Sequence, residues 1–315
     1  DTVTLANTSA TFADKNVGTG KTVTISGLSL GGTDAGNYTL SSTSTTTTAA
    51  ITAKSLTASY TASDKTYDGS RTATVSASSS DIVTGDAVTI SHSSATFADK
   101  NVGTGKTVSI SGISLSGTDA GNYSLASTST SASAAISAKS ITVSFTASDK
   151  TYNGSDAATV SGSSSDVVSG DVVTFSAGSA TFADKNVGIG KTVTIGTLLK
   201  TGTDANNYSI SNTSATTTAA ITAKSLTASY TANDKTYDGT TSATVVGSLN
   251  SVVSGDTVTL ANTSATFADK NVGTGKTVTI SGLSLGGADA GNYTLSSTST
   301  TTTAAITAKS LTASY

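Results

Sequence analysis

TFADKNVGTGKTVTISGLSLGGTDAGNYTL, residues 11–40, is the stretch that decides the fold, because it recurs through the chain with few changes. It returns at Thr96, Thr181 and Thr266, always at the same interval. A stretch that recurs at a fixed period, here roughly 85 residues, is the sequence signature of an array of structural repeats. The function must therefore be one that an array can perform.

This constant period divides the chain into repeats of one unit. We expect a partial first repeat, three whole repeats and the start of another; their bounds are 1–55, 56–140, 141–225, 226–310 and 311–315. A unit of about 85 residues is small but adequate for an independent domain. Because the sequence begins with Asp1 and in mid-repeat, we expect it to be a window of a longer array.

The composition predicts an all-β fold. The chain has no Cys, Met, Trp or Pro, and it has no Glu or Gln either. Met, Glu and Gln are strong helix formers, whereas the abundant Thr and Val favour strands and Gly and Asp favour turns. The absence of Cys also excludes disulfides and thiolate metal sites.

Alternating apolar and polar residues predict the strands of each unit. In the second repeat, Val108 and Ile110 alternate with polar residues after a predicted loop over 99–105. The phase then slips at Gly112, which predicts a bulge or a tight bend. About seven short strands per unit, separated by turn signals, predict an immunoglobulin-like β-sandwich.

The segment DAGNY resembles the run before strand F of immunoglobulin-type domains, where a Tyr hydroxyl bonds back to upstream backbone. We therefore predict a structural role for four corner tyrosines, Tyr38, Tyr123, Tyr208 and Tyr293. The same role is predicted for the strand phenylalanines and the turn glycines, which are Phe12, Phe97, Phe182, Phe267, Gly69, Gly154 and Gly239.

The boundary between repeats predicts a stiff rod. Ile51 and Ala53 alternate in one phase, and Leu56 and Tyr60 in the other, so the chain passes between cores within a very short boundary. A flexible linker would be longer and richer in Gly and Ser. With strands rising ~3.3 Å per residue, three units would span roughly 100–120 Å.

Several patterns resemble chemical sites. Gly20-Lys21-Thr22 fails as a phosphate loop, since Lys15 stands where the first Gly is needed. Asp14, Asn16 and Asp34 are candidate calcium ligands, although their spacing is not that of an EF-hand. Hydrogen bonding of these side chains to turn backbone explains them better, and calcium stays the alternative.

The remaining chemical alternatives are few. His92 is the one histidine and occurs in a single repeat, so it predicts neither a metal site nor a catalytic base. A Lys–Asn isopeptide bond is an open alternative, because both residue types recur in every unit. The sequence contains no acid–base pair, triad or metal cluster, and we predict no enzyme activity and no cofactor other than the calcium considered above.

The charge pattern excludes two classes of partner. The formal net charge is −3, and only 12% of residues are charged, so neither nucleic acid nor an anionic membrane is a predicted partner. No apolar run approaches the ~18 residues that span a bilayer, so we predict no membrane insertion of this segment.

The ordered motifs resemble the YDG domain, a repeat of very large secreted bacterial surface proteins of the filamentous-haemagglutinin type. The motifs are Tyr67-Asp68-Gly69, FADKNVG (97–103), GKTV (105–108) and DAGNY (119–123). The third repeat has Tyr152-Asn153-Gly154, in which Asn keeps the turn chemistry. The resemblance implies an extracellular adhesin or matrix protein, on the bacterial surface or in a secreted filament, with repeats as a stalk and no catalytic residues.

Three functions fit these features. The first is a structural stalk or fibre whose partners are the neighbouring repeats. The second is multivalent, low-affinity binding to a glycan, a host surface or an abiotic surface, in which avidity across the repeats gives strength. The third is lateral self-assembly with other copies into a biofilm matrix fibril, with residues 41–48 as the candidate edge, because neutral Thr-rich edges lack the charges that block pairing.

Overall fold

The computed structural model describes residues 1–314, which form a succession of short β-strands. These residues contain no α-helix, and their only helical turns are single 3₁₀ turns in the DAGN and DANN segments. The prediction of an all-β fold is confirmed. No helix in the described part is long and apolar enough to cross a membrane. Tyr315, at the end of the predicted segment 311–315, lies outside the described residues.

The chain divides into two compact units. The first comprises residues 1–139 together with 206–208, and the second comprises 140–205 together with the residues from 209 onward. The first repeat and all but the last residue of the second thus lie in the first unit, and the fourth lies in the second unit with most of the third. Each unit is described by itself below.

The strands of the first and second repeats belong to the first unit. Those of the first repeat are β1 Thr4–Ala6, β2 Ser9–Phe12, β3 Gly18–Ser26, β4 Ser29–Gly31 and β5 Ser44–Ile51. The next strands are β6 Lys54–Leu56, β7 Ser59–Ala62, β8 Lys65–Thr66, β9 Val75–Ser78, β10 Thr89–Ser91, β11 Ser94–Phe97, β12 Gly103–Ser111, β13 Ser114–Ser116, β14 Tyr123–Leu125 and β15 Ser129–Ser137.

The strands of the third and fourth repeats follow the same order. They are β16 Lys139–Ile141, β17 Ser144–Ala147, β18 Lys150–Thr151, β19 Val160–Ser163, β20 Thr174–Phe182, β21 Gly188–Thr201, β22 Tyr208–Ile210 and β23 Ser214–Thr222. The fourth repeat has β24 Lys224–Ala232, β25 Lys235–Thr236, β26 Val245–Asn250, β27 Thr259–Ala261, β28 Ser264–Phe267, β29 Gly273–Ser281, β30 Ser284–Gly286, β31 Tyr293–Leu295 and β32 Ser299–Thr307. The four 3₁₀ turns are Ala35–Asn37, Ala120–Asn122, Ala205–Asn207 and Ala290–Asn292.

In the first unit, the largest sheet has the order β11-β12-β15-β8, antiparallel except for the parallel pair β15–β8. β7 pairs with β9 and β10 pairs with β13, both antiparallel, whereas β6 pairs with β14 in parallel. The first repeat forms the sheets β2-β3-β5 and β1-β4. It has no counterparts of β7, β8 and β9, because this partial repeat does not include those positions of the unit.

In the second unit, the third repeat builds a six-stranded sheet in the order β17-β19-β20-β21-β23-β18. The fourth repeat builds β25-β32-β29-β28, β26-β24-β31 and β27-β30. The fourth repeat thereby reproduces the pairings of the second, with β24 combining the counterparts of β6 and β7. The finer prediction of an immunoglobulin-like sandwich stays a prediction.

The core of each complete repeat lies under the longest strands. In the second repeat, Phe97, Val108 and Ile136 are at most 1% exposed, while the Ser and Thr residues between such positions in β12 and β15 face outward. In the fourth repeat, the corresponding cluster contains Phe267 and Val278. Period-two alternation therefore sorts apolar residues inward and hydroxyl residues outward.

Gly112 forms the tight bend that the phase slip predicts. β12 ends at Ser111 and β13 begins at Ser114, with Gly112 at φ +67° between them. The predicted loop over 99–105 is too long, since β12 already begins at Gly103. Its register against β15 shifts between Gly103 and Lys106, and Gly105 at φ +60° lets the strand continue through that irregularity.

The third repeat exchanges the residue types at this bend. A Cβ on Gly112 would lie 1.9 Å from the Ser93 hydroxyl oxygen, so glycine is needed there for space as well as for its positive φ. In the third repeat, Thr197 takes the glycine position at φ +48°, and Gly178 takes the position of Ser93. In the third repeat the glycine thus stands on the opposite strand, and β20 and β21 continue without a break through Gly178 and Thr197.

Candidate functional site

The joint, defined as the place where one repeat meets the next, holds most of the motif residues. The first joint connects the first and second repeats, and the last joint connects the third and fourth. Only Thr52 and Ala53 separate β5 from β6, and only Ala223 separates β23 from β24. Because β6 and β24 pair with strands of the following repeat, the boundary residues are part of that repeat's sheet.

The short boundary strand supplies a core residue to the repeat that it enters. β6 runs parallel to β14 with Lys54 opposite Tyr123 and Leu56 opposite Leu125. Leu56 and its counterpart Leu226 have no exposed surface. The boundary is therefore fixed by backbone hydrogen bonds and by a fully buried leucine side chain.

A buried asparagine bridges the last joint. The Asn292 side chain accepts a hydrogen bond from the Val187 N–H at 2.9 Å and donates one to the Asn186 side-chain oxygen at 3.2 Å. Asn292 is 6% exposed and lies in the DAGN turn of the fourth repeat, whereas its partners lie in the KNVG loop of the third. Both ends of one amide are thus bonded across the boundary.

The same bridge recurs in the first unit. At the first joint, Asn122 accepts from the Val17 N–H at 2.8 Å and donates to Asn16 at 3.2 Å. Within the same unit, Asn207 makes the equivalent bonds to Val102 and Asn101, at 2.9 and 3.2 Å. The asparagine of the DAGN or DANN turn thus forms the same bridge to the KNVG loop of the preceding repeat in each of these three places.

A charged cluster lies beside the bridge of the last joint. Asp256, whose side chain is 3% exposed, accepts hydrogen bonds from the hydroxyls of Tyr293 at 2.6 Å and Tyr152 at 2.7 Å. Its other oxygen lies 3.2 Å from the Lys185 amine. Tyr152 and Lys185 belong to the third repeat, so the Asp256 carboxylate of the fourth repeat binds side chains of both repeats.

The cluster shifts the pKa values of its members. Hydrogen bonds from Tyr293 and Tyr152, with support from Lys185, lower the pKa of Asp256. Burial and the hydrogen bond to Asp256 raise the pKa of Tyr293 to about 12. The cluster is therefore a stable arrangement of an ionised Asp, neutral phenols and a charged Lys at neutral pH.

The first joint holds a simpler cluster. Lys15 lies 2.6 Å from Asp86 and 2.9 Å from Asp119, and the hydrogen bonds to these two carboxylates raise the pKa of Lys15. Asp86 also accepts a 2.6 Å hydrogen bond from Tyr123. The Lys of the KNVG loop therefore pairs with carboxylates of the following repeat at both joints.

The YDG motif contributes its tyrosine and its glycine to the last joint. The Tyr152 ring is 1% exposed and packs edge-on against Tyr293, with 5.4 Å between centroids. Gly154 has φ +80°, and a Cβ there would lie 2.7 Å from a methyl carbon of Val253 in the fourth repeat. The glycine is needed for its backbone conformation and for the close approach of the next repeat. Gly69 and Gly239, at the same position of their repeats, share the positive φ.

The middle residue of the motif stabilises its own turn. In the second repeat, Asp68 accepts from the Ser70 N–H at 2.8 Å and from the Lys65 amine at 2.8 Å. In the third repeat, Asn153 accepts from Ser155 and Lys150 at 3.1 and 3.2 Å. Asn thus replaces the Asp acceptor, as the turn chemistry predicts.

A cleft of about 230 Å³ at the first joint shows what the YDG tyrosine fills. Its lining includes Lys15, Asp86 and Tyr123, whose counterparts at the last joint surround Tyr152. Residues 1–10, which precede the first KNVG loop, contain no YDG motif. The cleft therefore corresponds to the space that the Tyr152 side chain fills at the last joint, and no ligand is needed to explain it.

The corner tyrosines fall into two groups. Tyr123 and Tyr293 each accept a hydrogen bond from a backbone N–H 40 residues upstream, at Val83 and Val253, both at 2.9 Å. Both rings are buried, as is that of Tyr208. Tyr38 differs, because it is 48% exposed and donates to Asp1 at 2.7 Å.

The strand phenylalanines divide in the same way. Phe97, Phe182 and Phe267 are buried in the cores of their repeats. Phe12 is 41% exposed, because the first repeat has no strands corresponding to β7–β9 to cover it.

The candidate calcium ligands are engaged within the protein. Asp14 accepts from the Asn16 N–H at 2.8 Å and forms an ion pair with Lys21, whose hydrogen bond is the main cause of the lowered pKa of Asp14. Asp34 accepts from the Thr2 N–H at 2.7 Å. Over residues 1–314, no group of three or more His, Cys, Asp or Glu side chains is placed to hold a metal ion.

The bonds across the joint were missed by sequence reasoning. Val17 could meet Asn37 in its own repeat or Asn122, the asparagine 105 residues later in the next, and the periodic sequence contains both. The one available signal was the short boundary at Ala53, which brings the next repeat close to the KNVG loop. That signal does not say which side chains meet.

Comparison with known proteins identifies the repeats. The family model described as the YDG domain matches four times, over residues 1–48, 52–131, 137–219 and 222–312. No curated protein matches the chain. The four matches together cover most of the sequence, and the chain therefore belongs to the YDG-domain family.

Proposed function

We propose that this chain is the structural repeat region, a stalk or fibre, of an extracellular bacterial adhesin or matrix filament, and that it catalyses no reaction. The observation that supports this function is the bonded joint. At the last joint, Asn292, Asp256 and Tyr152 connect adjacent repeats through hydrogen bonds and ring packing. Such bonds resist bending and twisting between repeats.

The motif residues are used for cohesion. The KNVG loop, the DAGNY segment and the YDG turn all contribute side chains to a joint, and each contact is between groups of the protein itself. In this array the residues that recur in every repeat bind the neighbouring repeat. Such an array is suited to holding the segments on either side of it at a fixed distance. We propose no membrane insertion for this segment and no nucleic-acid partner.

Electron microscopy of the purified chain tests the stalk function. We expect straight particles with a regular repeat of a few nanometres. Bent chains of beads with no preferred angle between repeats would contradict the proposal. Labelling of intact bacteria with an antibody against the repeats, before and after protease treatment of the cells, tests the extracellular location separately.

Lateral assembly into a matrix fibril is a second candidate that has specific support. On the outward face of the sheet β2-β3-β5, Thr24 lies between Thr11 and Thr46, and Ser26 lies between Ser9 and Ser44. The fourth repeat carries the same face, with Thr279 between Thr266 and Thr301. Uncharged hydroxyl faces lack the repulsion that keeps copies apart, and light scattering against salt concentration would detect bundling.

Multivalent glycan or surface binding is the third candidate. It needs exposed aromatic platforms, and Tyr38, at 48% exposure, is the corner tyrosine that offers one. Tyr123 and Tyr293 lie buried at joints. A glycan array probed with the full chain and with Tyr38→Ala tests this function, because binding that persists unchanged in the variant would rule out this platform.

A further inference from the structure

The YDG turn of the third repeat contains the one Asn-Gly dipeptide of the sequence, Asn153-Gly154. Every other asparagine precedes a residue that carries a side chain. Glycine has no Cβ, so its main-chain nitrogen can approach the side-chain amide of the preceding asparagine more closely than that of any other residue. Attack by that nitrogen turns asparagine into an aspartyl residue, and aspartate is what the second and fourth repeats have here, as Asp68 and Asp238.

Two donors polarise the side-chain carbonyl of Asn153. The Ser155 N–H donates to its Oδ1 at 3.1 Å, and the Lys150 amine donates to the same oxygen at 3.2 Å. The amine is held in place because it also donates to the carbonyl oxygens of Ser155 and Ala157, at 2.6 and 2.9 Å. Donors directed at an oxygen on which negative charge develops stabilise a tetrahedral intermediate. The Cγ of Asn153 is therefore prepared for attack by a nucleophile.

The nucleophile and water are present at the same turn. Within residues 1–314, no group accepts a hydrogen bond from the Gly154 N–H, so its nitrogen is not engaged elsewhere. The close approach of Val253 and the φ of +80° fix the position of Gly154. The Asn153 side chain itself is exposed, so water reaches it. The turn thus combines a polarised amide, an adjacent main-chain nitrogen and solvent.

We propose that Asn153 is a site of self-modification, at which the folded chain converts the asparagine into an aspartate. The Gly154 nitrogen bonds to the Asn153 Cγ, the bond between Cγ and Nδ2 breaks, and ammonia leaves with the proton of the Gly154 N–H. Water then adds to the Cγ carbonyl of the resulting cyclic imide, because the oxygen of that carbonyl keeps both donors. Cleavage of the new bond between Cγ and nitrogen restores the Gly154 N–H and leaves an aspartate with normal main-chain connectivity.

The turn of the fourth repeat shows that the product fits. Asp238 accepts from the Thr240 N–H at 2.9 Å and from the Lys235 amine at 3.0 Å, and these hydrogen bonds lower the pKa of Asp238 to about 2. An ionised carboxylate resists attack by a nucleophile, so the reaction belongs to the third repeat and stops at aspartate. The product gives Lys150, whose pKa is lowered by burial, the carboxylate partner that its counterpart Lys235 has. The proposal does not rest on the stalk function.

Peptide mapping by mass spectrometry tests the proposal on the purified chain, incubated at mildly alkaline pH either folded or unfolded in urea. The peptide containing residue 153 gains the mass difference between water and ammonia on conversion, and Asn153→Asp provides the product standard. Lys150→Met removes one donor and keeps an apolar stem against the Phe182 ring, over which the amine lies at 5.3 Å. Lys235→Met makes the same change in the fourth repeat and is the matched control. Circular dichroism confirms that the variants are folded.

We expect the folded wild type and Lys235→Met to convert at least as fast as the unfolded chain, with aspartate in excess over isoaspartate. Folded Lys150→Met should convert about tenfold more slowly, because one of the two donors to the developing oxyanion is lost. Slower conversion in the folded wild type than in urea would mean that the fold protects Asn153 and would overturn the proposal. Equal rates for the folded wild type and Lys150→Met, or isoaspartate as the main product of the folded chain, would overturn it as well.

Discussion

Replacement of Asn292 by alanine tests the energetic importance of the asparagine bridge. The variant loses the acceptor for the Val187 N–H and the donor to Asn186, which lie at 2.9 and 3.2 Å. A net hydrogen bond contributes about 0.5–1.5 kcal/mol, and a buried group left unsatisfied costs about 1–3 kcal/mol. We therefore expect Asn292→Ala to lower the free energy of unfolding by about 2–3 kcal/mol.

The sequence provides a matched control for this variant. Asn37 stands in the same segment, DAGNYTL, but it is exposed and lies at no joint within the chain. Asn37→Ala should change the stability by less than about 0.5 kcal/mol, as for ordinary surface substitutions. Urea unfolding monitored by tyrosine fluorescence, at a concentration where the chain is monomeric, measures both. Equal effects for the two variants would refute the idea that the asparagine acts through the joint.

Three further predictions concern the joint and the bend. Tyr152→Phe keeps the ring against Tyr293 and removes one hydrogen bond to Asp256, so urea unfolding should show a free energy of unfolding lower by about 1–2 kcal/mol. Tyr237→Phe is the control, because Tyr237 stands at the same position of its repeat and the described residues include no Asp counterpart of Asp256 for it to bind. The pKa of Asp256 is lowered in the folded state, so the ionised carboxylate contributes to the free energy of unfolding. This contribution is fully present above the ordinary Asp pKa of about 3.9 and is lost as the pH falls through the folded-state pKa. Urea unfolding measured from about pH 7 to about pH 2 should show the loss, and Asp256→Asn should make it smaller. Gly112→Thr alone should lower the melting temperature, because the new side chain would clash with Ser93. Adding Ser93→Gly should restore part of the lost stability, because the double variant reproduces the pair Thr197–Gly178 of the third repeat. Equal melting temperatures for the single and double variants would contradict this explanation.

The sequence predicts the class of fold well, because alternation and composition act locally. Val108 and Ile110 face the core as their alternation predicts, and Gly112 makes the bend at the phase slip. The start of β12 is less well predicted, since the Gly-rich run 103–105 has turn composition. Pairing with β15 outweighs that local preference, and the strand extends to Gly103.

The joint could not be predicted to the same degree. Tyr152 meets Asp256 at a separation of 104 residues, and the periodic sequence offers chemically equivalent partners one repeat away. The choice between these equivalent partners depends on the direction in which the chain leaves each sheet. That direction is fixed by the pairing of β23 and β24 with other strands. Burial of Asn292 is equally hidden, because its counterpart Asn37 has the same neighbours in sequence and is exposed.

Cross-linking measures most directly whether the KNVG loop binds the following repeat. The chain has no cysteine, so two can be introduced freely: Val17→Cys with Asn122→Cys across the first joint, and Val17→Cys with Asn37→Cys within one repeat. The Val17 N–H lies 2.8 Å from the Asn122 oxygen. Dibromobimane, which fluoresces after bridging two nearby thiols, should react with the first pair and leave the second unbridged. Bridging of the second pair, or of neither, would contradict the account.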